Sequence, residues 1–434
     1  VIDSPKPLTR REAESSPVSK RNHGPFRIAL FNVKYSPNLG DGLLAECLEG
    51  AIRSQLGDAQ VESIDLAGRL RYQPGRAERA LALSVLHASP LLIRQSASKV
   101  VLGSMLNRKL RPLWKEKLRE VGAVIVGGGN LISDSDLNFP LKLQAAMAVT
   151  TELAIPVSVF AVGVSENWSP KGAAMFSEAL TSAPLFFASV RDARSAEIWR
   201  RRLGPLGVAS PSVVYDPGVL ASTHFRASAR PERVSPLVGV GVMHPASLKY
   251  HSDQSCVSAG RQREWTLALV KACLAQGWLV RLFTNGSPED EAYLHSLAPM
   301  LAALDGASGL RVEPRFGTPR ELAQFIASLD LMYAHRLHAN IAAYSYAVPH
   351  IGFSWDSKLK SFLAQVGRSE CLATMGVDSV EGAVQMGRRQ LETGVNRETH
   401  RTVLKRAHAD VGALVAAIQD LHPTAAVDAR FRSA

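Results

Sequence analysis

The feature that most restricts the fold is a repeated alternation. A short, wholly apolar run comes first, then a cluster of turn formers, then a helical pattern. Ala123-Val124-Ile125-Val126 is the clearest apolar run. It has no polar face, so such a strand must be covered on both sides, as in a parallel sheet. It ends in Gly127-Gly128-Gly129-Asn130, and a helical pattern follows over residues 141–153. Residues 26–33 predict a first strand and Ser36 to Asp41 a turn. Leu43, Leu44, Cys47, Leu48, Ala51 and Ile52 then fall at helical spacing. Further strands are expected over 61–66, 156–162, 185–190 and 213–215, with helices over 171–182 and 195–203. Successive βα units of this length imply a parallel sheet with helices on its faces.

The alternation pauses at an Arg-, Ser- and Pro-rich linker, 227–236, and then restarts. Strands are expected over 237–242, 279–283, 310–312, 329–333 and 350–353, and helices over 263–276, 288–304, 319–328 and 337–347. A chain of 434 residues, 46% hydrophobic, holds enough apolar material for two cores. The expected class is α/β: two Rossmann-like parallel-sheet domains facing a cleft, over residues 26–226 and 237–390. Residues 1–25 read as a flexible tail. Leu404, Ala407, Val411, Leu414, Ile418 and Leu421 share one face of a terminal helix, 398–422, expected to pack back on the body.

Net charge is +11, from 50 basic and 39 acidic residues. Nucleic acid, small anions and an anionic membrane face are the partner classes such a balance suggests. No nucleic-acid module is recognisable, and 6% aromatics leaves little for base stacking, so no nucleic-acid partner is expected. Part of the excess is local. Residues 94–120 carry Arg94, Lys99, Arg108, Lys109, Arg111, Lys115, Lys117 and Arg119 against two acidic residues, interleaved with Val100, Val101, Leu102, Met105, Leu106, Leu110 and Trp114. This is either a solvated helical pair packed on the first domain or a basic amphipathic surface for anionic lipid. No apolar run approaches the ~18 residues of a membrane span. Residues 1–25 lack the apolar core of a secretory signal. Cys47, Cys256, Cys273 and Cys371 are scattered. The expected location is cytoplasmic, peripheral on the inner face of a bacterial plasma membrane.

The chemistry concentrates after strands. In Tyr333-Ala334-His335-Arg336-Leu337-His338-Ala339-Asn340, Arg336 and His338 stand where a strand passes into a helix. Free N–H groups and the helix dipole already make that place positive, so added cations suggest a site for an anion. Lys358 follows the next strand, and His335 is the local competitor of His338. Arg191, in Val190-Arg191-Asp192-Ala193-Arg194-Ser195, stands at another strand end, where a guanidinium can fork onto a carboxylate or phosphate. Asp192 is a candidate helix cap. Asn38 and Asp41 read either as caps or as acceptor-binding groups, with Asp41 a candidate base. Gly128 and Gly129 are neither a dinucleotide fingerprint nor a P-loop; they suit a tight turn or a close ligand approach. Asp134-Ser135-Asp136 reads as a turn rather than a metal motif, and no other cluster has metal-ligand spacing, so no cofactor or metal is expected.

These residues, in this order, resemble the polysaccharide pyruvyl transferase family: Asn38-Leu39-Gly40-Asp41, Val126-Gly127-Gly128-Gly129-Asn130-Leu131, Ser189-Val190-Arg191-Asp192 with Ser195, Asp216-Pro217, and Arg336-Leu337-His338-Ala339 with Pro349 and Trp355-Asp356-Ser357-Lys358. The resemblance spans roughly residues 27–365. It implies a GT-B-like fold and transfer of the pyruvyl group of phosphoenolpyruvate to a sugar of an exopolysaccharide, or of its repeat unit on a lipid such as a polyprenyl carrier. The product would be a pyruvate ketal with release of phosphate. The family's donor positions fall on Arg191, His338 and Lys358, and Arg336, Gly128 and Gly129 join them as donor-side candidates. Asn38, Asp41 and Asn130 are placed on the acceptor side. A protonated His338, its pKa raised by the donor's anions, is the expected general acid. Two other readings stay open: a GT-B nucleotide-sugar glycosyltransferase, and a non-catalytic membrane-associated scaffold of polysaccharide assembly.

Overall fold

The computed structural model describes residues 26–57, 59–73, 99–134, 136–245, 258–304, 309–354, 357–374 and 378–421. The expected tail over 1–25, Arg94, Ser135, Cys256, Trp355, Asp356 and position 422 lie outside them.

Two six-stranded, all-parallel sheets organise the chain. The first holds β1 (Arg27–Asn32), β2 (Gln60–Asp65), β3 (Ala123–Gly127), β4 (Val157–Val162), β5 (Leu185–Val190) and β6 (Ser212–Val213), in the order β2-β1-β3-β4-β5-β6. The second holds β7 (Leu237–Gly241), β8 (Leu279–Phe283), β9 (Leu310–Val312), β10 (Leu331–Ala334), β11 (His350–Ser354) and β12 (Leu372–Thr374), in the order β12-β11-β10-β7-β8-β9. Every residue of β3 and β4 is buried, which is why these runs carry no polar alternation. Three strands depart from expectation. β6 stops at Val213, and Tyr215 N–H is instead taken by Asp410 of the terminal helix at 3.0 Å. β10 starts at Leu331, because the amides of Ser328 and Leu329 still bond back into the preceding helical turn. β12 lacks a sequence signal of its own, being three residues long.

The principal helices of the first unit are α1 (Leu39–Leu56), α2 (Arg111–Lys117), α3 (Asn138–Glu152), α4 (Pro170–Ser182) and α5 (Ala193–Leu203). Those of the second are α6 (Ala259–Ala275), α7 (Pro288–Ala302), α8 (Pro319–Ala327), α9 (Leu337–Ser345), α10 (Ser357–Gln365) and α11 (Val380–Thr393), followed by the terminal α12 (Arg397–Leu421). Strand order reverses between β1 and β3 in one sheet and between β7 and β10 in the other. At such a switch point the crossovers leave on opposite faces and open a crevice at the strands' carboxyl ends. α1 leaves β1, the glycine run leaves β3 and α9 leaves β10, so three of the sequence's chemical motifs stand at the two crevices.

The crevices are locked face to face. α9 is buried almost all round, and one apolar cluster joins Leu43, Leu48 and Ile52 of α1 to Leu322 and Ile326 of α8 and Ile341 and Ala342 of α9. Ser345 at the end of α9 accepts from Ser222 N–H at 2.8 Å and donates to the Val219 carbonyl at 2.6 Å. The linker is pinned as well: Arg230 donates to the Leu329 and Ala347 carbonyls, and Arg233 to Ser328 and Asp330. α12 lies on α1, where the Gln55 amide donates to the His408 carbonyl at 3.2 Å. Two units sharing a core of this kind do not swing freely about a hinge.

Candidate functional site

α1 and α9 meet nose to nose. Asn38 caps α1, its side-chain oxygen accepting from Gly40 N–H at 3.3 Å, while Leu39 N–H donates across the cleft to the Asn285 carbonyl at 2.8 Å. Asn38 therefore serves as the cap that its position suggested. Gly40 has ordinary helical geometry, and its lack of a side chain matters for space alone. A Cβ there would lie 2.6 Å from the His338 Cβ and 2.7 Å from its Nδ1. Gly40→Ala should raise helix propensity by roughly 1 kcal/mol yet push the imidazole aside. Because the clash includes the His338 Cβ, which ring rotation cannot move, the expected outcome is a lower melting temperature with turnover lowered at least tenfold. Wild-type turnover in this variant would show that the close approach is irrelevant to function.

His338 Nδ1 stands 3.6 Å from Asp41 Oδ1. Burial lifts the Asp41 carboxyl from 3.8 to about 6, against the Ser36 hydroxyl and the charges of Arg69 and Arg336. Burial and then the charges of Arg191, Arg336 and Lys358 push the His338 imidazole down to about 3. Without a donor the ring is therefore neutral at pH 7; the expectation of a protonated His338 concerns the donor-bound state. A carboxylate facing Nδ1 favours the tautomer with its hydrogen there. Nε2 then offers a lone pair, and it is buried without a hydrogen-bond partner.

The same three charges show that the cations from both units converge on this ring. Arg191, at the end of β5, is 4% exposed. It is held loosely, with Nε 3.6 Å from Asp192 and Nη1 3.6 Å from buried Asp216. Its Nε lacks a hydrogen bond. Asp192 also caps α5, accepting from Ser195 N–H at 2.7 Å. A Cβ on Gly163 would lie 2.7 Å from Arg191 Nη2 and 2.6 Å from Asn130 Oδ1. Asn130, whose amide donates to Ser165 at 2.9 Å, thus lies beside Arg191 across Gly163. Gly128 and Gly129 have φ of +76° and +75°, conformations in which a side chain is strained, so the β3 turn requires glycine at both.

Arg336 differs from what its position suggested. It precedes α9, but its Nε donates to Asp290 at 3.0 Å, and Nη2 reaches the same carboxylate and Ser287. Much of its hydrogen-bonding capacity is spent inside the second unit. His335 packs against Phe353, ring centroids 4.9 Å apart, and bonds to the Gly241 backbone, so the competitor of His338 is a packed residue. Asn340 ties the junction by donating to the Ala334 and Arg336 carbonyls at 3.1 and 2.9 Å. Lys358 sits half-buried in the first turn of α10.

Two groups escaped the sequence reading. Asp290, fully buried, anchors Arg336 and accepts from His244 N–H at 2.8 Å. Asp65 closes β2, accepts from Tyr35 N–H at 3.0 Å and grips Arg69 Nε at 3.1 Å, setting Arg69 beside Asp41. Asp134 accepts from Leu137 and Ser169 N–H at 2.8 and 2.6 Å, the work of a turn residue. Among the described residues, no group of three or more His, Cys, Asp or Glu is placed to hold a metal ion.

The fold is similar to UDP-GlcNAc 2-epimerase from Methanocaldococcus jannaschii (12% identity, TM-score 0.52, covering 90% of this chain and 99% of that one). It is also similar to the UDP-GlcNAc-bound 2-epimerase from Neisseria meningitidis (8% identity, TM-score 0.50, covering 91% and 99%). At such identities the likeness concerns the GT-B-like architecture alone. No curated protein matches the sequence. The family model of polysaccharide pyruvyl transferases matches residues 38–357, a span that contains Asp41, the glycine turn, Arg191 and His338. The chain belongs to the polysaccharide pyruvyl transferase family and is a transferase.

Proposed function

We propose that the chain moves the pyruvyl group of phosphoenolpyruvate onto two hydroxyls of a saccharide, forming a ketal and releasing phosphate. The observation that carries this is the convergence of Arg191, Arg336 and Lys358 on a neutral, buried His338. A carboxylate and a phosphate bring roughly three negative charges. Arg191, Arg336 and Lys358 direct positive charge at that load, Arg336 sharing its own with Asp290, and no metal is invoked.

In the proposed reaction the donor's anions offset the cations, so His338 takes a proton on Nε2. That proton passes to the methylene carbon of the enol, and the neighbouring carbon becomes electrophilic. One sugar hydroxyl attacks it; the bond to the phosphate oxygen breaks; a second hydroxyl closes the ketal. Of the two hydroxyl protons, one replaces the proton His338 gave up, and the other leaves with phosphate. Asp41 faces the same ring and is the base for the attacking hydroxyl, handing the proton it takes on to the departing phosphate. Asn38, whose carbonyl accepts from Asp41 N–H at 3.1 Å, and Arg69, whose charge acts on Asp41, form the acceptor side.

Incubation with phosphoenolpyruvate and a panel of oligosaccharides, followed by mass spectrometry for added pyruvate and by phosphate assay, tests the reading directly. The bound ligand of the Neisseria neighbour motivates one alternative, a nucleotide-sugar transferase. Thermal stabilisation by UDP but not by phosphoenolpyruvate would favour that alternative. A chelator should leave turnover unchanged.

Asp41 adds a pH signature. Its folded value, about 6, exceeds the unfolded 3.8, so ionising it costs stability. That cost begins above pH 3.8, is complete above about 6 and amounts to roughly 3 kcal/mol at most. Asp41→Asn is expected to be more stable than wild type at pH 7, with the gap closing by pH 4, and to lose ~10²-fold or more in turnover. Wild-type turnover should decline below pH ~6 as the base is protonated. Urea unfolding at the two pH values and a pH–rate profile measure both; an asparagine variant that is fully active removes Asp41 from the mechanism.

A further inference from the structure

The basic segment singled out by the sequence lies outside the proposed reaction. Residues 99–117 are helical throughout, loosening to a π-helical turn over Leu106–Leu110. Leu106, Leu110, Trp114 and Leu118 are buried against the first sheet, where Trp114 meets Phe31 edge-on at 5.4 Å. Two apolar residues do not follow them. Val100 is 73% exposed and Val101 67%. On a helix, Val100, Val101, Ser104 and Arg108 project away from the buried line, so the valines share the solvent face with a cation.

The charges divide in the same way. Lys115 and Lys117, nearer the body, pair with Glu152 and Glu62. Lys99, Arg108 and Lys109 are exposed and have no carboxylate partner among the described residues. Two adjacent solvent-facing valines beside cations that lack a carboxylate partner among the described residues suit an interface that is anionic outside and apolar beneath. The face also adjoins the cleft. A Cβ on Gly68 would lie 2.5 Å from Leu110 Cδ2, and the next residue is Arg69, whose charge acts on Asp41.

We propose that this helical face docks on a bilayer surface bearing anionic lipid. Val100 and Val101 enter the headgroup boundary, and Lys99, Arg108 and Lys109 meet the phosphates. The first unit's side of the cleft then faces lipid-borne acceptors. Docking is independent of the transfer reaction and is measured without turnover. The full chain is sedimented with phosphatidylcholine vesicles, with and without phosphatidylglycerol, at low and high salt. Binding is expected only with the anionic lipid and should fall with salt. Arg108→Ala with Lys109→Ala should weaken it roughly thirtyfold, from two basic residues near an anionic surface. Val100→Ser with Val101→Ser should weaken it as well, and both pairs should melt like wild type because the sites are exposed. No binding, equal binding to both lipids, or binding indifferent to these substitutions overturns the proposal. Loss with the cation pair but not with the valine pair would mark a purely electrostatic face for an acidic macromolecule and overturn the bilayer assignment.

Discussion

Replacing His338 by glutamine is expected to lower kcat by roughly 10²–10⁴-fold, the usual worth of a positioned acid. Phosphoenolpyruvate should still bind and still raise the melting temperature. The reasoning rests on charge. Before any donor binds, burial and three cations hold the ring neutral, with a pKa of about 3. The donor brings anions that cancel those cations, so its binding must raise the ring's pKa, and by linkage binding must take up protons near neutral pH. Glutamine preserves a polar contact toward Asp41 but removes the titrating nitrogen. Calorimetry in buffers of different ionisation enthalpy should therefore show proton uptake for the wild type and a smaller uptake for the variant. A glutamine variant turning over within a few-fold of wild type would falsify the assignment of His338 as the acid. Equal proton uptake by both proteins would move the titrating group elsewhere.

Much of this arrangement is legible in the sequence, for a physical reason. Strands buried on both faces must be wholly apolar, and helices that cover them must be amphipathic, so Ala123–Gly127 and Leu39–Leu56 announce themselves. Once the strands are marked, residues following them fall at the carboxyl edge, which is how Asp41, Arg191 and His338 can be singled out. Partnerships across the fold are not legible. Asp290 reads locally as part of an ordinary helix start, Ser287-Pro288-Glu289-Asp290, and nothing nearby says that its partner is Arg336. Asn130 follows the glycine turn, yet its neighbour Arg191 comes from a different strand. The protonation state of His338 escapes the sequence for a related reason. It depends on burial between two units and on charges from three separate elements, and no local pattern encodes that sum.

The buried pair of Arg336 and Asp290 carries the largest expected effect on stability. Asp290 is fully buried, and it accepts from His244 N–H as well as from Arg336. Asp290→Leu leaves a mostly buried guanidinium without its counter-ion and orphans a backbone donor, which should cost about 3–5 kcal/mol in urea unfolding. Arg336→Met strands the carboxylate instead and should cost a similar amount. The double replacement removes both charges and should cost clearly less than the sum of the two, since neither variant's uncompensated charge survives. Activity separates position from contact. With Asp290 gone, Arg336 keeps its full charge but loses its anchor, so the field on His338 becomes more positive and the pH range of turnover should contract on its alkaline side. If Arg336 meets the donor directly, Arg336→Met raises the KM for phosphoenolpyruvate while the Asp290 variant raises it much less. If Arg336 acts only as a fixed charge behind His338, the two variants shift the pH profile in opposite directions with KM nearly constant. Additive stability costs in the double variant would mean that the two side chains are not coupled in solution, and that Asp290 does not anchor Arg336.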